Sequence, residues 1–108
     1  MARLADLVPD FVAEVGRALA GEGRTALASQ VRDAEVERCT FDRELGAGYI
    51  YLRGATAPVA ETVPFREPHW FGVDVDHDGR PYGIELFSRD EVFARLREQV
   101  APGIFIDV

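Results

Sequence analysis

Twelve consecutive residues, Asp74 to Glu85 (DVDHDGRPYGIE), match at every required letter the calcium-loop pattern D-x-D-x-D-G-x5-E. In a calcium loop Asp74, Asp76, Asp78 and Glu85 would supply hard carboxylate oxygens to one divalent ion. Such a loop needs an entering helix, yet the residues before it, Glu67-Pro68-His69-Trp70-Phe71-Gly72-Val73, combine a proline, a glycine and β-favouring side chains. Its eighth position, whose amide normally pairs with a sister loop, is Pro81, which has no N–H. The same letters fit a β-hairpin turning at Asp78-Gly79, the dipeptide favoured in two-residue type I′ turns. That register sets His77 against Arg80, Val75 against Tyr82, Val73 against Ile84 and Phe71 against Leu86, the last three pairs on one apolar face. Trp70, Gly72, Asp74, Asp76, Pro81, Gly83, Glu85 and Phe87 then share the other face. A pleated surface does not make carboxylates converge, so the expectation is a hairpin with no metal site and no cofactor, the four acids being weak cation candidates only.

Other reactive groups are sparse. Cys39 is the one cysteine, and the histidines, His69 and His77, lie in Pro-rich or turn segments that nothing places beside it, so a structural thiol is expected. Asp74 and Glu85 as an acid–base pair would need burial that the pattern does not predict. There is no Gly-rich phosphate loop, G-x-S-x-G elbow or HExxH. The expectation is therefore a non-enzymatic chain. Trp70 and His69, with Tyr49, Tyr51 and Tyr82 nearby in the expected sheet, form the candidate binding surface.

The elements that position these residues follow from periodicity. Leu4, Leu7, Val8, Phe11, Val12, Val15, Ala18 and Leu19 recur at helical steps, giving a first helix with Pro9 in its first turn and Gly21 and Gly23 at its end. A shorter helix runs from about Thr25 to Arg32. The composition turns β-rich over Ala34–Phe41 and Ala47–Arg53, with a turn at Asp42–Gly46, and Val59–Val63 reads as a short edge strand between Pro58 and Pro64. Ser88-Arg89-Asp90-Glu91 reads as a capping box opening a final helix with Val92, Phe93, Leu96 and Val100 inward and Pro102-Gly103 as its stop. The fold class is thus α+β in one domain over 1–108: a helical part over 1–33, an antiparallel β-meander of four to five strands over 34–87, a helix over 88–101 and an apolar tail over 102–108.

Tyr49-Ile50 with Leu52, Val59-Ala60-Glu61-Thr62, Val73-Asp74 with Asp76, Asp78-Gly79-Arg80 and Gly83-Ile84-Glu85-Leu86 stand in the order found in the small bacterial family known as domain of unknown function 2283, which the chain resembles over about residues 42–87. The resemblance implies a β-meander. It brings no catalytic residues, and it implies a place beside toxin-like genes for some relatives. The two N-terminal helices, the Glu67–Trp70 segment and the C-terminal helix depart from the family's minimal pattern.

The chain has 108 residues and a net charge of −7 at neutral pH. Its acidity excludes nucleic-acid phosphates as partners and favours another protein, of basic or neutral character. No apolar run is long enough for a membrane and no signal segment is visible, so a cytoplasmic location is expected. All 12 cations are arginine and asparagine is absent, as in GC-rich genomes, pointing to a bacterial source. The leading expectation is a protein–protein interaction module. An antitoxin or immunity protein is its sharper form, and a domain binding a small ligand or a divalent metal weakly is the alternative. The tail Ile104–Val108 is too apolar to hang free. It either edges its own sheet or exchanges into a homodimer, the latter being favoured.

Overall fold

The structure is a computed structural model that describes residues 2–55 and 58–108. Four helices, α1 (Leu4–Leu7), α2 (Pro9–Gly21), α3 (Thr25–Asp33) and α4 (Asp90–Gln99), pack against one sheet of six strands. The strands are β1 (Val36–Asp42), β2 (Ala47–Leu52), β3 (Val59–Thr62), β4 (Phe71–Asp76), β5 (Pro81–Phe87) and β6 (Phe105–Asp107). The class is α+β. The first apolar stripe is divided at Val8, because Pro9 cannot continue α1 and becomes the first residue of α2. At its other end α2 stops where Gly23, at φ +78°, lets Gly23 N–H reach Ala20 O and Arg24 N–H reach Leu19 O.

The sheet is not a meander. Its order is β3-β4-β5-β2-β1-β6, so a β1–β2 hairpin and a β3–β4–β5 meander meet along a seam between β2 and β5. The tail lies along its own sheet: β6 runs parallel to β1, with Cys39 beside Phe105. Phe105 sits 6.2 Å from Phe93, and the Arg97 guanidinium stands over its ring and pairs with Asp107. Phe93 also stacks on Phe41 of β1, so the ring of Phe105 completes an aromatic cluster at this edge.

All four helices share one core with alternate residues of the strands. Phe11 of α2 meets Phe71 edge-on at 5.8 Å, and Phe93 of α4 fills the space left by Gly48, where a Cβ would come within 2.5 Å of its ring. No described element lies on the sheet's other face, and among the described residues no helix is long and apolar enough to cross a membrane.

Two local expectations fail. Ser88 is at φ +55° and Arg89 is the N-cap without a side-chain bond, so no capping box forms. Glu91 instead accepts from Arg89 Nε at 2.7 Å. The chain leaving β5 reverses at once into α4, with Ser88 N–H bonded to Gly46 O, and this demands a left-handed residue where a cap would need an extended one. The hairpin turn is a three-residue loop, not type I′: Gly79 alone has positive φ, Gly79 N–H reaches Asp76 O, and Asp76 N–H reaches Arg80 O.

Candidate functional site: the uncovered face of the sheet

The uncovered face is set by one bulge. Register follows expectation from Phe71 against Leu86 to Asp74 against Gly83, then slips, so that Val75 faces Pro81. Pro81 has no N–H for a regular ladder position, and the extra residue falls next to it. Tyr82 and Gly83 together oppose Asp74. Pro81 is consequently buried, while Tyr82 leaves the core face expected for it and lies with its ring 6.3 Å from Tyr51.

Tyr49 and Tyr51 alternate with buried Ile50 and Leu52 on β2, so both rings lie on the uncovered face, 4.6 Å apart. Gly83 lies directly under Tyr49; a Cβ there would be 2.2 Å from the ring. Lying across that glycine, the Tyr49 hydroxyl donates to Asp74 Oδ2 at 2.6 Å, and Thr62 Oγ1 donates to Asp74 Oδ1 at 2.6 Å. Burial, and then the bond to Asp74, pushes the Tyr49 phenol above its ordinary range, so it stays a neutral donor at physiological pH. On the other side the Arg38 guanidinium stands 4.2 Å above Tyr51. At one end of the sheet Trp70, 65% exposed, adjoins Phe87, 42% exposed, whose N–H bonds Trp70 O.

The four carboxylates of the loop pattern do not come together. Asp74 is held by Tyr49 and Thr62 on the uncovered face. Asp76, expected on the solvated side, is buried at 2% exposure, and its Oδ1 accepts from Asp78 N–H and Arg80 N–H, closing the turn. Its burial follows from that role, since a carboxylate with two amide donors no longer needs water. Asp78 is exposed in the loop. Glu85 faces Gly72, four residues down the strand from Asp76, or about 13 Å. Among the described residues no group of three or more His, Cys, Asp or Glu is placed to hold a metal ion.

His69 parts from the other expected surface residues. Its ring stacks on Phe71 at 4.9 Å and meets Phe65 at 5.0 Å, on the side of the helices, while Trp70, Tyr49 and Tyr51 lie across the sheet. Cys39 is fully buried on β1, three strand spacings, or about 14 Å, from β4, and burial pushes its thiol up to about 12. It is unreactive at neutral pH. Away from this face, Arg89 links α4 to Glu14 of α2 at 3.0 and 3.1 Å. Its bonds to Glu14 and Glu91 raise the guanidinium pKa, and the Arg89 bond lowers that of Glu91.

Sequence reasoning missed Arg38 and Thr62, and it set Tyr82 against Val75 on the core face although it counted the ring among the sheet's aromatic candidates. The signal for Tyr82 was Pro81 at the start of a strand, which favours a bulge over an unbroken ladder. Arg38 and Thr62 lie on strands whose neighbours only the sheet order reveals. No family model matches the chain, and no curated protein or solved structure matches it. The resemblance read over residues 42–87 therefore rests on its own motifs.

Proposed function

We propose that this chain is a non-enzymatic protein–protein interaction module whose working surface is the uncovered face of its sheet. The observation that carries the reading is that one face holds four helices while the opposite face presents Tyr49, Tyr51, Tyr82, Trp70 and Phe87 with no described element over them. Exposed aromatic groups of this kind mark interfaces in soluble proteins, since rigid rings add contact area at small entropic cost. The acids among them support recognition more than catalysis: Asp74 already has a donor on each oxygen.

Affinity capture of the full chain from its native host tests this, comparing the parent with a Tyr51→Ser/Phe87→Ser variant and with an Ala13→Ser/Ala20→Ser variant on α2. A partner retained by the parent and the α2 variant but lost from the sheet variant is expected. A partner lost only from the α2 variant would move the working surface to the helices.

A further inference from the structure

We infer that the uncovered face docks a basic protein, with an arginine or lysine of that partner seated on Glu85. This rests on the interaction-module reading and names the chemistry of what the module binds. Glu85 lies in the interior of the sheet, opposite Tyr49 on β2 and Gly72 on β4, with Gly83 and Phe87 as its neighbours on the same face of β5. Its surroundings are therefore two aromatic residues and two glycines, with the Tyr49 ring lying over Gly83. Other acids are engaged: Asp74 holds Tyr49 and Thr62, and Glu37, near the end of β1, pairs with Arg53 at 3.1 Å. Glu85 is exposed, and no hydrogen bond or ion pair among the described residues engages it. A carboxylate beside aromatic residues is a site for a cation, which gains a charge-assisted bond and contact with the rings.

Charge decides between occupants. A second copy docked face to face would bring a second net charge of −7 onto the first, and like net charges oppose association. Phosphate-bearing surfaces, whether nucleic acid or anionic lipid, meet the same repulsion. A cationic protein is instead attracted over the whole approach, because the field that repels a copy speeds association of an opposite charge. The size is also suitable. Six strands span about 24 Å across and about 20 Å along, a flat footprint near 500 Å², which suits a modest, exchangeable complex and not an obligate one.

The test places a photo-reactive phenylalanine analogue at position 51 on the uncovered face, or at position 20 on α2, in the full chain in lysate of its native host. Each is made with Glu85, Glu85→Gln or Glu85→Arg, and melting curves confirm that all fold. The expected result is one basic protein cross-linked from position 51, with a yield that falls on adding salt, falls with Glu85→Gln, and falls at least about tenfold with Glu85→Arg. Cross-linking to a second copy, to an acidic protein or to RNA, or a yield indifferent to Glu85→Arg, overturns the inference while leaving an interacting surface. Cross-linking from position 20 alone overturns the choice of face, and none from either position overturns the interaction reading as well.

Discussion

Along β2 the odd and even residues live in different worlds. Gly48, Ile50 and Leu52 face the helices, with Ile50 fully buried and Gly48 pressed against Phe93. Tyr49 and Tyr51, one residue away in each case, touch each other, Arg38, Asp74 and solvent. The covered face holds itself together by exclusion of water and by close fit. The uncovered face is ordered by hydrogen bonds and ring contacts that link residues of five strands, β1 to β5, with no described element above them. A single strand thus carries stability on one side and, in the function we propose, recognition on the other, and the two can be altered separately.

The largest expected effect lies on the covered side. Ile50→Ala should cost about 2–5 kcal/mol in urea unfolding, as deletions in a filled core do, whereas Tyr51→Ala should cost about 1 kcal/mol. Similar losses from both would dissolve the distinction between the faces.

Gly83→Ala probes the one place where the uncovered face is tightly constrained. The new methyl group would displace the Tyr49 ring and break its bond to Asp74, for a loss of about 1–3 kcal/mol. In a Tyr49→Ala background the same substitution should be much milder, and a double-mutant cycle with no coupling would show that Tyr49 does not lie over Gly83.

Two turns bracket β5. Gly79 closes the β4–β5 loop at φ +79°, so Gly79→Val should destabilise by about 1–3 kcal/mol and Gly79→Asn by less, because asparagine tolerates that region. Equal damage would place the strain elsewhere. Ser88 holds a left-handed conformation at φ +55° between β5 and α4, and Ser88→Gly should raise stability by about 0.5–1 kcal/mol. An unchanged melting point would mean that the serine carries no strain there.

Much of this was legible in the sequence, for physical reasons that differ by element. The helices and the alternation of β2, β4 and β5 follow from periodicity, which burial imposes directly on residue order. The pairing of Phe71 with Leu86 and Val73 with Ile84 was readable because a hairpin couples close neighbours. The bulge at Tyr82, the burial of Asp76 and the left-handed Ser88 were not, since each is a local answer to a demand set by the turn or by α4. The order of the strands was beyond reach for another reason: no local pattern says that β5 lies beside β2, or β6 beside β1. Without that order Trp70 and His69 looked like one surface, and Arg38 and Thr62 looked like nothing in particular.

The seam between β2 and β5 also bears on how the chain reaches this state. The β1–β2 hairpin and the β3–β4–β5 meander each join strands adjacent in sequence and can zip up quickly, whereas Ile50 meets Ile84 only by closing a long loop. We expect the two pieces to form early and to dock late. Ile84→Val should then chiefly accelerate unfolding in stopped-flow experiments and leave refolding almost unchanged, while a matching slowdown of refolding would mean that docking belongs to the nucleus.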